Sequence, residues 1–237
     1  MAPLDEVLVQ PYRIDESAWY WSLPPVAQLR AEGLRFTTPV TVLVGENGAG
    51  KSTLVEAIAT AWESSLTGAQ GRHWSAGVSA EDADLSRHLG LRGDRGRPHG
   101  GCFLRAEAMH GLFDAADRAG VRDYDGPLGT RSHGQAFLGY LAGRPVERGL
   151  WLLDEPEAAL SFSSCLALLG LLGDLAREGS QVIMATHSPL LMACPGATVL
   201  EIDDRGFRTT AWEELEVVGH WRSFLDGPDR YLRHLRD

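Results

Sequence analysis

The stretch "GENGAGKST", Gly45 to Thr53, directly follows the apolar run Val40-Thr41-Val42-Leu43-Val44. The spacing Gly45-x4-Gly50-Lys51-Ser52 is the phosphate-loop pattern. Its glycines let the backbone turn so that several N–H groups point inward at a phosphate, and the N-terminus of the next helix adds positive potential. Such a loop needs a strand before it and a helix after it, and the sequence predicts both. Val40 to Val44 reads as a buried strand; Leu54, Ile58, Trp62 and Leu66, with Val55 beside them, form one apolar helix face. Glu46, Asn47, Gly48, Ala49, Gly50, Lys51, Ser52 and Thr53 are therefore assigned to nucleotide binding, Lys51 bridging the β- and γ-phosphates and the Ser52 hydroxyl holding Mg2+. A glycine turn without function is the competing reading. Against it stand the flanking elements and the fact that Lys51 is the only lysine in the chain.

Three later stretches complete the pattern. Gly149-Leu150-Trp151-Leu152-Leu153 is a second buried strand ending in Asp154-Glu155-Pro156. That places Asp154 at the carboxyl edge of a sheet, near the metal, and Glu155 one residue further, where a carboxylate can polarise an attacking water. Alone this would be a polar strand exit into a turn; the upstream loop gives it a role. His187 follows the strand Gln181 to Ala185, where an imidazole can contact a γ-phosphate. Ser132-His133-Gly134-Gln135 admits two readings, a helix capping box and a phosphate-binding helix N-terminus, and neither excludes the other.

Between these motifs the chain reads as strands alternating with helices, which argues for a parallel sheet in one layered α/β domain. The first 40 residues, interrupted by Pro11, Pro24 and Pro25, read as short strands and connections, and Gly68 to Gly101 as loops and short hairpins. Cys102 to Leu104 is a short strand, Ala106 to about Ala119 a helix, and another helix starts at Ser132. Ser161 to Arg177 reads as a mostly buried helix, Asp204-Arg205-Gly206 as a hairpin turn, and Trp221 to Arg236 as a helical tail.

At 237 residues, 44% hydrophobic and 23% charged, the composition is that of an ordinary globular chain. No apolar run approaches the roughly 20 residues that span a bilayer, and the acidic start lacks the order of a secretion signal. The expectation is a cytoplasmic protein with no direct membrane insertion. Cys102, Cys165 and Cys194 lack metal-ligand spacing and read as buried thiols. A net charge of −10 does not support nucleic-acid binding, although a local basic groove is not excluded by it.

The quoted motifs, with "FLRAE", "SHGQAFL", "LDEPEAALS" and "ATHSPLL", resemble in order and wording the ATP-binding-cassette ATPases, and among them small stand-alone prokaryotic ATPases labelled AAA-family. The resemblance covers nearly the whole chain from Val40 onward. It implies a single P-loop ATPase domain over residues 1–237, with a mostly parallel sheet, flanking helices, N-terminal antiparallel strands and a reduced helical subdomain at about 106–142. It also implies ATP and Mg2+ as cofactors, with Lys51, Glu155 and His187 as the catalytic set. Two copies would pack head to tail only with ATP bound, Ser132 and Gly134 of one serving the γ-phosphate of the other. Arg131 and His133 depart from the usual leucine and glycine of the signature. Glu107 or Arg105 stands near the glutamine that usually reaches the metal, making Glu107 a candidate ligand beside Ser52 and Asp154. Ala158-Ala159-Leu160-Ser161 replaces a loop usually ending in Asp. An aromatic for adenine is sought among Trp19, Tyr20 and Trp21. The leading expectation is a soluble, dimerising ATPase acting on an unknown protein partner or signal. The alternatives are the ATP-binding subunit of a membrane transporter and, third, a DNA-repair or defence ATPase. A small-molecule kinase is weakest, since it leaves the signature and His187 unexplained.

Overall fold

The computed structural model describes residues 2–11, 15–65, 83–94, 100–105, 133–142 and 148–233. Strand β1 (Glu6–Val9) precedes a 3-10 turn at Trp19–Ser22, helix α1 (Pro24–Glu32) and β2 (Leu34–Arg35); β3 (Val40–Gly45) then runs through the glycine loop into α2 (Lys51–Ser65). Next come α3 (Ala83–Ser86), β4 (Leu89–Arg92), β5 (Gly100–Arg105), α4 (His133–Ala142) and β6 (Gly149–Asp154). The last part holds α5 (Phe162–Arg177), β7 (Gln181–Ala185), α6 (Pro189–Met192), the strands β8 (Thr198–Asp203) and β9 (Gly206–Thr209), α7 (Glu216–Asp226) and α8 (Asp229–Leu232).

The main sheet has the order β5-β6-β7-β3-β8-β9. Its first five strands are parallel and β9 closes the edge antiparallel to β8. A strand buried on both faces needs apolar residues throughout, and these strands sort them by alternation. Val40, Val42 and Val44 of β3, Trp151 and Leu153 of β6, and Val182 and Met184 of β7 face a core shared with α4, α5 and α6. Leu43, Leu150, Leu152, Ile183 and Ala185 face the opposite core, against α1, α2 and the smaller antiparallel sheet β2-β1-β4. Gln181 ties the two sheets together: its buried amide donates to the Leu4 carbonyl and accepts from the Leu4 N–H, both at 2.8 Å.

Four sequence expectations change. Pro24 and Pro25 open a helix where short strands and connections are expected, because a proline in the first turn removes an N–H that has no helical acceptor anyway. Within Gly68 to Gly101, Leu89–Arg92 is a strand, paired with β1 some 80 residues upstream in register Val7↔Leu91. Helix α5 is capped by Ser161, whose hydroxyl accepts from Ser164 N–H, but it is buried on one face only. Its Phe162 and Leu166, with Trp221 and Leu225 of α7, are exposed and line an apolar groove of about 790 Å3. The helical tail begins earlier, at Glu216, and breaks at Gly227-Pro228. The helix expected from Ala106, the positions of Glu107, Arg131 and Ser132, and most of the 106–142 subdomain lie outside the described residues. The three cysteines are buried and none is in a disulfide, and burial pushes the Cys194 thiol up to about 11.

Candidate functional site

Parallel register brings the catalytic candidates to one edge. Arg105 lies level with Asp154, Asp154 with Ala185, and Ala185 with Leu43. The residues that follow, Glu155 after β6, His187 after β7 and the glycine loop after β3, therefore emerge side by side at the carboxyl ends of adjacent strands. This is where open parallel sheets bind ligands.

The loop turns on glycines with a physical requirement. A Cβ on Gly45 would sit 2.3 Å from the Ile202 carbonyl oxygen of the neighbouring strand, so nothing larger fits. Gly50, at φ 96°, enters α2 through a conformation that side chains disfavour, under Pro25 and Leu23. Lys51 opens α2 and is only 3% exposed. Its Nζ donates at 2.9 Å to both the Gly45 and Glu46 carbonyls, folding the side chain back inside the loop. Burial pushes the Lys51 ammonium below the ordinary lysine range, opposed by the Glu155 and Asp154 charges. Burial likewise pushes the Asp154 carboxyl up, opposed by the Ser52 hydrogen bond and the Arg105 charge. A buried cation and a buried anion, each short of solvent, are what an anionic phosphate and a divalent cation would stabilise in turn.

Ser52 Oγ donates to Asp154 Oδ1 at 3.1 Å, across 102 residues of sequence. A hydroxyl and a carboxylate at that separation are hard oxygen donors suited to Mg2+, which takes one or two protein ligands beside substrate phosphates. Glu155 has φ 50° and ψ 49°, the one non-glycine residue with positive φ among those described. Its N–H donates to the Ala185 carbonyl at 3.0 Å and its own carbonyl accepts from Ala158 N–H at 3.1 Å. So held, the half-exposed side chain stands 3.5 Å from His187 Nε2. Glu155 and His187 are thus brought together.

Gly134 is buried, and a Cβ there would meet the Ala159 carbonyl at 3.2 Å and Ser164 Oγ at 3.3 Å, so it packs on the loop after β6 of its own chain. Of the aromatics, Tyr20 is buried, Trp21 lies under the Arg30 guanidinium at 5.1 Å, and Trp19 is the exposed one.

Glu157 escapes the sequence reading, and Arg105 enters it only as the alternative to Glu107. Glu157 accepts hydrogen bonds from the backbone N–H groups of His187, at short range, and of Ser188 at 3.0 Å. It ties the His187 loop to the segment after β6. Arg105 pairs at close range with Glu56 of α2 and lies 3.4 Å from Asp154. The available signal was Glu56 itself, a carboxylate inside the apolar run Leu54 to Ala59, since a buried charge calls for a partner.

Two family models match, "AAA domain" over residues 26–83 and "AAA domain, putative AbiEii toxin, Type IV TA system" over residues 124–193. A cytochrome c biogenesis ATP-binding export protein, CcmA of Rhizobium meliloti, is 33% identical over 180 residues, covering 68% of this chain and 83% of that protein. A thiamine import ATP-binding protein, ThiQ of Vibrio cholerae, is 33% identical over 162 residues, covering 62% of this chain and 68% of that protein. Among solved structures, cbiO1 from Clostridium perfringens, described as part of the ABC transporter complex cbiONQ, aligns over 99% of this chain and 100% of that one, at 18% identity and a TM-score of 0.49. A third of the residues shared along most of a relative's length goes well beyond one glycine loop, and with the motifs in this order the chain belongs to the ATP-binding-cassette family of P-loop ATP hydrolases.

Proposed function

We propose that the chain is the ATP-hydrolysing subunit of a membrane transporter, binding Mg-ATP on the loop between β3 and α2 at the cytoplasmic face. The observation behind this reading is the likeness to CcmA and ThiQ, one named for export and the other for import. Both relatives favour the transporter alternative over the stand-alone ATPase expected first from the sequence. A reduced helical subdomain at about 106–142 and the residue replacing the usual glutamine are what set this chain apart from transporter subunits in sequence. Both fall largely outside the described residues.

Within this reading Lys51 and the loop N–H groups hold the phosphates, and Ser52 and Asp154 hold Mg2+, which neutralises phosphate charge. Glu107 is a further metal ligand. Glu155 takes the proton of the attacking water and His187, steadied by Glu157, contacts the γ-phosphate. Two copies close head to tail around ATP, Ser132 of each reaching the nucleotide of the other while Gly134, packed on its own chain, supports that helix end, and the closure moves the membrane-spanning partner.

The test uses Glu155→Gln, which holds ATP without hydrolysing it. Purified with ATP and Mg2+ from detergent-solubilised membranes of its host, this variant should carry a multi-span integral membrane protein in stoichiometric amount. By light scattering the isolated variant should double its mass in ATP and return to monomer in ADP. A soluble protein or nucleic acid as the stoichiometric companion would restore the stand-alone reading; a mass indifferent to nucleotide would remove the dimer.

A further inference from the structure

Arg105 ends β5 with its guanidinium between two carboxylates from different elements, Glu56 on α2 and Asp154 at the end of β6. Both acids are almost fully buried, with side chains 1% and 2% exposed, while Arg105 itself is 27% exposed. The two oxygens of Asp154 have separate neighbours: Oδ1 accepts from Ser52 at 3.1 Å, and Oδ2 faces Arg105 Nε at 3.4 Å. Each oxygen thus faces its own neighbour, and Oδ1 is the one beside the hydroxyl. We propose that Arg105, held by Glu56, is a positioning residue for the metal: it occupies Oδ2 of Asp154, so that Oδ1 is presented with Ser52 to Mg2+.

The chemistry suits these residue types. A guanidinium is a flat, rigid fork that presents its N–H groups in fixed directions to two carboxylates, whereas an ammonium is a point charge on a flexible stem and fixes neither direction. Glu56 matters for a second reason: by balancing the charge of Arg105 it leaves Asp154 a net anion, able to attract a divalent cation instead of being neutralised by its neighbour. Groups that orient a metal ligand without touching the metal typically change metal affinity about 10–100-fold when removed. This inference rests on the Mg-ATP reading above.

The measurement is the Mg2+-dependent gain in ATP affinity, the ratio of dissociation constants in EDTA and in Mg2+, obtained by calorimetry without turnover. In Glu56→Gln/Arg105→Gln the buried charges are removed together and an amide pair replaces them. This variant should keep the Mg-free affinity and the circular dichroism of wild type while its gain falls about tenfold. Arg105→Lys, which keeps the charge but not the fixed directions of the fork, should lose a smaller part of the gain. A double variant that keeps the wild-type gain, or loses Mg-free and Mg-bound affinity in equal proportion, makes Arg105 a core ion pair and overturns the proposal. If the double variant does not fold, a wild-type gain in Arg105→Lys overturns it equally. A wild-type protein that binds no ATP fails at the underlying reading instead, which these same titrations reveal first.

Discussion

Lys51→Ala should lower ATP affinity by about 2–5 kcal/mol, the range seen when one partner of a desolvated charge pair is truncated. That is roughly 30-fold to several thousandfold in dissociation constant. The estimate follows from where the amine sits. Only 3% of Lys51 is exposed, and Nζ bonds to the Gly45 and Glu46 carbonyls, so the ammonium is enclosed by the loop it serves. Truncation removes the charge that would meet the β- and γ-phosphates and the donor that draws those two carbonyls inward. No second lysine in the chain could substitute. Arginine is no remedy, because its broader fork does not fit the space of an ammonium; Lys51→Arg should bind nearly as poorly. Calorimetric titration with ATP and Mg2+ measures both variants, and an affinity equal to wild type would end the phosphate-loop assignment.

Glu155→Gln should leave ATP affinity within a few-fold of wild type and lower turnover by about 10²–10⁴-fold, the usual worth of a positioned general base. The substitution conserves shape and the 3.5 Å approach to His187 Nε2 but removes the ability to accept a proton from water. The variant therefore separates binding from chemistry, as Lys51→Ala cannot. Phosphate release in single-turnover experiments gives the rate, and equilibrium titration gives the affinity. Wild-type turnover would move water activation away from Glu155, with His187 the next group in reach.

What the sequence makes legible here is whatever a local pattern encodes. The β3 strand, the loop and α2 follow from an apolar run, glycine spacing and a four-residue repeat. Asp154 and His187 follow from polar residues placed at the ends of apolar strands. What stays hidden is set by pairing over distance. Nothing local says that Val7 opposes Leu91, or that Gln181 satisfies both backbone groups of Leu4 from 177 residues away. The Glu56–Arg105–Asp154 cluster draws each of its members from a different element, so none of its contacts is local. Glu157 is hidden differently: its role is to accept backbone N–H groups, and those belong to no particular side chain. Pro24 and Pro25 were misleading because the missing N–H and ring clash that end a helix from within cost nothing in a first turn, where the fixed φ is already helical.

The left-handed backbone of Glu155 carries a consequence for heat resistance. A side chain in that conformation costs the folded state about 1–2 kcal/mol, glycine and asparagine excepted. Here the N–H bond to Ala185 and the carbonyl bond from Ala158 impose it, since they place the carboxylate over the strand edge. The fold thus gives up stability to hold the carboxylate of Glu155, the proposed general base, at the strand edge. Asparagine tolerates the same backbone and, unlike glycine, does not loosen the unfolded chain. Without nucleotide, Glu155→Asn should therefore melt higher than wild type by about 2–4 °C, the response of a chain this size to about 1 kcal/mol. Glu155→Gln, which keeps the strained side-chain class, should melt with wild type. The more durable protein would be the one that no longer turns over ATP.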